Sequence, residues 1–349
     1  MRSDTFNVGL LIPMSGSLGL LGPSAYACAR LARDIWNQGG GVDGREVCLS
    51  VFNSSESSMT LESELNLPLC DSELDALITL CNTAVCRRIS SVVDARVPLI
   101  YTPHFEGTGL PRWVHAIGET PDRQLLPAID WLARRYRLRR WYLLGNDYSW
   151  PRRTHSLGIP FIRASGAEVV GERYVPLGER CYEPIIEDIV RSRADVVLVS
   201  LVGGESVYMC RAFGHAGLGA KVLRLSICME ENAVLGAGDE NTEGMFVAAG
   251  YFANIDSDAN GAFKERYRSH FGDRAPMLNS LSQSVYEGFV HLQRQTRETD
   301  SGNAGHADVL PGVRDRRRRA SDASQNPIFL GAADGLSIRV IESLGSARG

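Results

Sequence analysis

The sequence predicts an α/β protein made of two lobes, each a doubly wound, mainly parallel sheet, and three observations predict it. At 349 residues the chain is longer than one hydrophobic core usually grows, so two lobes of about 150 residues each are expected. Short apolar runs alternate with amphipathic stretches, the pattern of parallel strands joined by helical crossovers. That alternation runs once, breaks near Thr120-Pro121, and starts again.

The first wind has strands at 6–12, 46–52, 75–80 and 98–101. The first and third are nearly all apolar, as strands buried on both faces are. A helix is expected over about 24–38, where Ala25, Cys28, Ala32 and Ile35 share one face, and Gly39-Gly40-Gly41 ends it. The second wind opens with a helix carrying Leu126, Ile129, Leu132, Ala133 and Tyr136 on one side. Strands follow at 141–144, 168–174, 195–201, 221–226 and 244–249, with helices near 182–193 and 206–216. Two more helices are expected at about 260–271 and 280–297. Residues 300–324 are polar, basic and poor in apolar side chains, and read as a loop. Beyond them, 328–331 and 336–341 flank Asp334-Gly335 as the arms of a hairpin.

With 44% hydrophobic and 22% charged residues the composition fits neither disorder nor a fibre, and a net charge of −4 gives no global attraction to nucleic acid or an anionic membrane. The chain enters its first strand at Phe6 without a signal-peptide pattern, which reads as a cytoplasmic protein, or a periplasmic one whose signal peptide is missing from this sequence. The eight cysteines form no CxxC pair and read as reduced core thiols.

No nucleophile elbow, phosphate loop, HExxH or close histidine pair is present. Neither a catalytic set nor a metal or cofactor site is expected, since Cys81 and Cys86 supply half of a zinc shell. Gly16, Gly19 and Gly22 follow the first strand with GxxGxxG spacing where a dinucleotide turn needs GxGxxG. In open α/β sheets ligands bind at the carboxyl ends of strands, so residues there are the candidates. These are Ser15, Asn82, Thr83, Tyr101 and Thr102 in the first wind, and Tyr148, Trp150, Gly203, Glu231 and Tyr251 in the second. Hydroxyls, aromatics and an acid suit a small polar ligand with apolar walls. The basic run from Arg314 to Arg319 reads as solvated loop, and the arginines at 134, 135, 137, 139 and 140 as cations at a helix's carboxyl end.

Five segments carry a family resemblance: Gly9 to Gly16, Asn37 to Arg45, Tyr101 to Gly107, Gly145 to Arg152 and Thr242 to Phe252. Gly145-Asn146-Asp147-Tyr148-Ser149-Trp150-Pro151-Arg152 is the most specific of them. Together they resemble the type I periplasmic-binding-protein (solute-binding) family, in the branch holding amide and urea receptors and a cytoplasmic amide sensor that regulates amidase expression. The resemblance implies lobes built from discontinuous stretches, 1–119 with 251–310 and 120–250 with 325–349, joined by a hinge with the ligand cleft between them. It implies that Thr83 binds an amide, that Tyr101 and Tyr148 are pocket walls or hydrogen-bond donors, that Trp150 is its lid, and that Glu231 is the acid on the second lobe. The expected function is a non-enzymatic sensor for a small amide or amino-acid-like ligand, acting on a regulatory protein such as an antiterminator. The alternative is the substrate-binding protein of an ABC transporter, with a membrane permease as partner and amides, urea or branched-chain amino acids as ligands. A homo-oligomer is compatible with either.

Overall fold

A computed structural model describes residues 4–299, 310–314 and 327–345. Among these the chain divides into two compact units, unit 1 drawn from Met1–Ser15, Leu21–Gly118 and Asp256–Ala323, and unit 2 from Gly16–Leu20, Glu119–Ile255 and Ser324–Gly349.

Unit 1 begins with β1 (Thr5–Ile12), α1 (Gly22–Gln38), β2 (Glu46–Asn53), α2 (Ser58–Cys70), β3 (Ala76–Thr79), α3 (Thr83–Val93), β4 (Leu99–Tyr101) and β5 (Val114–Ala116). The strands are all parallel, in the order β2-β1-β3-β4-β5. Alternation along each strand divides the core. Leu11, Leu77, Leu99 and Tyr101 pack with Leu61, Leu65 and Leu69 of α2 and Val85, Cys86, Ile89 and Val93 of α3.

The chain then builds unit 2 with α4 (Pro121–Arg135), β6 (Arg140–Asn146), α5 (Ser149–Ala164), β7 (Glu168–Val175), α6 (Glu183–Arg191), β8 (Val196–Ser200), α7 (Gly204–His215), β9 (Leu223–Ser226), α8 (Glu231–Ala237) and β10 (Met245–Ala249). It returns to unit 1 for α9 (Asp258–Phe271) and α10 (Ser280–Thr299), and closes in unit 2 with β11 (Phe329–Asp334) and β12 (Ser337–Ser343). A Cβ on Gly288 of α10 would meet Ile78 and Ile100, the other set of the alternation, so α10 covers the opposite face of unit 1's sheet from α3. The sheet of unit 2 runs β12-β11-β10-β9-β8-β6-β7, with β6 to β10 parallel and the hairpin added antiparallel to β10. Its two faces are again separate cores: Tyr142, Leu144, Val197 and Val199 with α6, α7 and α8, and Trp141, Leu143, Val196 and Leu198 with α4 and α5.

The expected strands and hairpin are present, and several elements were not foreseen: α2, α3, α5, α8 and β5. The hairpin turn is displaced by one residue. Asp334 pairs with Ser337, so the loop is Gly335-Leu336, with Gly335 at φ 63° as a II′-type turn requires.

The basic run from Arg314 needs correction. Arg314 is not a solvated cation: it is buried, and its guanidinium donates to Gln283 Oε1 and to the Ser280 carbonyl of α10. Arg316 to Arg319, and most of the loop 300–324, lie outside the described residues. Arg134 and Arg135 stand in the last turn of α4, at its carboxyl end as expected, while Arg139 and Arg140 lie beyond it with partners of their own. Arg134 pairs with Asp130, Arg135 with Glu342, Arg139 with the Gly166 carbonyl, and Arg140 with the Ser192 carbonyl and Glu168.

Candidate functional site

In each unit the chain lays its second strand on one side of the first and its third on the other, so the winding reverses between β1 and β3 and between β6 and β8. Connections leaving such neighbours at their carboxyl ends diverge to opposite faces, the place where open α/β sheets bind ligands. The expected site residues stand at the carboxyl ends of strands in both sheets, some beside these reversals and others, such as Tyr101, Glu231 and Tyr251, at the neighbouring strands β4, β9 and β10.

In unit 1, Ser15 is exposed just past β1, and its hydroxyl accepts from Asn53 Nδ2 at 3.2 Å. Asn53 also accepts from the Met14 N–H at 2.9 Å, so it laces the ends of β1 and β2 together. Asn82 is the N-cap of α3: its side-chain oxygen accepts from the Val85 N–H at 2.9 Å, which is why the helix starts there. Cys81 and Cys86 occupy the flanking positions whose side chains staple a helix start, and both are buried. Burial pushes the Cys81 thiol up to about 12, so it remains a thiol at neutral pH.

This cap sets Thr83 as the first residue of α3. Its Oγ1 lies 3.2 Å from the hydroxyl of Tyr101, the last residue of β4. The Tyr101 hydroxyl donates to the His104 carbonyl at 3.2 Å, and Phe105 packs edge-on to the Tyr101 ring. Burial holds the phenol well above its usual range, so it stays protonated. Thr102 does not join them. Its hydroxyl donates to the Thr79 carbonyl, its carbonyl accepts from Ser284, and its methyl faces α10 on the other face of the sheet.

In unit 2, Tyr148 is the N-cap residue of α5 and packs half-buried on the core. Trp150 is 3% exposed within that same core cluster, so its indole is a seated aromatic and not an open lid. The first turn of α5 lies directly on β6, because a Cβ on Gly145 would come within 2.8 Å of Pro151. Behind it, Arg152 pairs with Asp147 at 2.7 Å and stacks 4.1 Å over the Tyr174 ring. His155, fully buried, meets Glu172 at 3.2 Å; burial pushes its imidazole down to about 4, and the carboxylate offsets only part of that.

Gly203 precedes α7 at φ 59° and ψ −128°, a region open essentially to glycine alone. A Cβ there would stand 2.0 Å from the Ser17 carbonyl, which accepts the Gly204 N–H at 2.9 Å. Glu231 opens α8 and accepts the Ala253 N–H at 2.8 Å, and Tyr251 is buried two residues before that N–H. The acid therefore braces the chain beyond β10. Sequence reasoning missed Asn53 and the His104 carbonyl. The Pro103-His104 turn after Tyr101 was the available signal for the second. Among the described residues no three His, Cys, Asp or Glu side chains converge as a metal site, and no helix is long and apolar enough to cross a membrane.

A family model described as periplasmic binding protein matches residues 5–314. The fold is similar to a solute-binding protein of an ABC transporter from Rhodopseudomonas palustris BisB5, solved in complex with 3,4-dihydroxybenzoic acid: TM-score 0.83, 18% identity, 99% of each chain covered. It is also similar to a fatty acid ABC transporter substrate-binding protein from Thermomonospora curvata, with TM-score 0.81 and 15% identity over 99% of this chain and 94% of that one. An amino acid ABC transporter substrate-binding protein from Pseudomonas fluorescens Pf-5 aligns with TM-score 0.79 and 15% identity, covering 100% of this chain and 98% of the other.

Proposed function

The chain belongs to the periplasmic binding protein family, and from that premise we propose that it is a non-enzymatic receptor that binds a small organic solute and presents it to the permease of an ABC transporter. The observation that carries this reading is the Thr83–Tyr101 pair, two buried hydroxyls 3.2 Å apart at the carboxyl ends of β3 and β4. Hydroxyls of this kind orient a ligand by hydrogen bonding, and the adjacent Cys81 thiol is held protonated by burial.

Transport is favoured over gene regulation because the solved relatives described above are transport receptors. An extracytoplasmic address goes with that role. Within the proposal, Thr83, Tyr101 and Ser15 are the hydrogen-bonding groups that unit 1 offers, with Asn82 as their local framework, and Tyr148 and Tyr251 are the apolar surface that unit 2 offers, with Gly203, Trp150 and Glu231 as its framework. The ligand class is a small amide or a similarly sized polar organic molecule, and not a macromolecule.

A thermal-shift screen tests this with primary amides, urea, aromatic acids, fatty acids and amino acids, followed by calorimetry on the hits. At a ligand concentration of one hundred Kd, stabilisation of about 2.7 kcal/mol is expected. A flat response across all five classes would overturn the proposal. So would turnover of a bound compound.

A further inference from the structure

In a parallel sheet each crossover helix runs back along the strands, so every helix end shares one end of the sheet with the next strand's start. Unit 2 does this three times in succession. α4 ends at Arg135 before β6 starts at Arg140, α5 at Ala164 before β7 at Glu168, and α6 at Arg191 before β8 at Val196. These connections lie at the amino ends of the strands, away from the ligand candidates at the carboxyl ends. Together 134–140, 163–168 and 190–195 hold eight arginines against two carboxylates, Glu168 and Asp195. The chain's net charge of −4 conceals this, because it sums over the whole molecule.

Specific contacts join the three connections into one patch. The Arg139 guanidinium donates to the Gly166 carbonyl at 3.0 Å, and the Gly166 N–H donates to the Arg163 carbonyl. Arg140 donates to the Ser192 carbonyl at 3.1 Å, between Arg191 and Arg193. Both carboxylates are occupied: Asp195 accepts the backbone N–H groups of Arg139 and Arg140 at 2.7 and 2.9 Å, and Glu168 pairs with the Arg140 guanidinium. Among the described residues the side chains of Arg137, Arg139, Arg163 and Arg193 have no carboxylate partner. Helix dipoles account for cations in the last turns of α4, α5 and α6, but Arg137, Arg139 and Arg193 stand past the helix ends.

Apolar side chains stand among these cations. Phe161, in the last turn of α5, is 47% exposed, and Val190, in the last turn of α6, is 53% exposed. Cations beside exposed apolar groups suit the surface of an anionic bilayer, where guanidiniums meet lipid phosphates and apolar groups enter the acyl boundary. A nucleic-acid backbone would use the cations and leave Val190 in water.

We propose that the amino end of unit 2's sheet, around Arg137, Arg139, Arg163 and Phe161, is a docking surface for an anionic phospholipid bilayer. It goes beyond the solute-binding reading and does not depend on which solute is bound. Docking there concentrates the receptor at a membrane and leaves the carboxyl ends of the same strands uncovered.

Flotation of the full chain with vesicles tests this. Binding to an equimolar mixture of phosphatidylglycerol and phosphatidylcholine should be about tenfold tighter, or more, than to phosphatidylcholine alone, and should weaken as salt rises. The triple variant Arg137→Gln, Arg139→Gln, Arg163→Gln should lose about tenfold or more, whereas Arg266→Gln with Arg268→Gln, two exposed arginines on α9, should lose less than about twofold. Phe161→Ser should lose about threefold without changing the salt dependence. Equal binding of the wild type to both vesicles, or none to the mixture, overturns the proposal, as do a triple variant that binds like the wild type and a pair on α9 that loses as much as the triple. Tighter binding to polyuridylate than to the mixed vesicles, with Phe161→Ser without effect on either, marks a nucleic-acid surface and also overturns it. If the triple variant does not melt cooperatively, Arg137→Gln and Phe161→Ser are each tested alone, since both side chains are exposed, and full binding by both overturns it.

Discussion

The guanidinium of Arg314 donates to Gln283 Oε1 at 2.5 Å, and the backbone N–H of the same arginine donates to Glu287 Oε1 at 3.1 Å. Gln283 also donates to Glu287, at 2.8 Å, and Arg314 Nη2 reaches the Ser280 carbonyl at 2.6 Å. One residue thus holds two turns of α10. Removing a single partner from a buried charged network leaves the rest unpaired. Arg314→Ala is expected to lower unfolding free energy by about 2–4 kcal/mol in urea titrations. Arg314→Lys should recover less than half, because an ammonium cannot reproduce the planar fork. A loss below about 0.5 kcal/mol, the range of ordinary surface changes, would return Arg314 to the solvated class.

Gly203→Ala tests the entry to α7. The new Cβ would meet the Ser17 carbonyl at 2.0 Å in a backbone region that L-residues avoid. Strain and clash together predict destabilisation of more than about 2 kcal/mol. A melting temperature equal to wild type would show that the segment Gly16–Leu20 moves aside at no cost.

His155 gives a pH dependence with a definite sign. Its pKa is lowered from 6.5 to about 4 in the folded state, chiefly by burial. Between those values the unfolded chain binds more protons, so stability is full above about 6.5 and falls as pH drops toward 4. The loss attributable to this group is on the order of 2–3 kcal/mol, and His155→Gln should flatten that part of the curve. Melting curves at half-unit pH steps decide it: identical slopes in the two proteins would remove His155 from the account.

Glu231 separates bracing from ligand recognition. Glu231→Gln keeps an oxygen for the Ala253 N–H and should cost under about 1 kcal/mol of stability, whereas Glu231→Ala removes that hydrogen bond at about 1–3 kcal/mol. On ligand affinity, Glu231→Gln should cost about 1 kcal/mol if the ligand is a neutral amide. A loss of about 2–5 kcal/mol with a zwitterionic amino acid would mean that the acid pairs with an ammonium group.

How much of this was legible depends on which force built each element. Strands such as 6–12 and 195–201 show plainly, because burial on both faces demands an unbroken apolar run. The helix α5 was hidden because Pro151 and Pro160 lower its local propensity, and its packing on β6 is tertiary and invisible in the sequence. Strand-end position was enough to name Thr83 and Tyr101 as candidates, and the fold brings their hydroxyls together. It did not separate Thr102, one residue on, because the pleat that turns Thr102 toward α10 becomes decisive only when the helix on each face is known. Arg314 was misread since composition reports the average of a segment, and a buried arginine is chosen by a particular partner.

The closing hairpin carries a consequence for the order of events during synthesis. β11 pairs antiparallel with β10 from Phe246↔Ala332 to Ala249↔Phe329, yet α9 and α10 of the other unit are translated first. While the ribosome makes them, the outer edge of β10 offers an open row of N–H and carbonyl groups to any neighbouring chain. A nascent protein stalled before residue 327 is therefore sticky along that edge, and the last strands to emerge are the ones that make it safe.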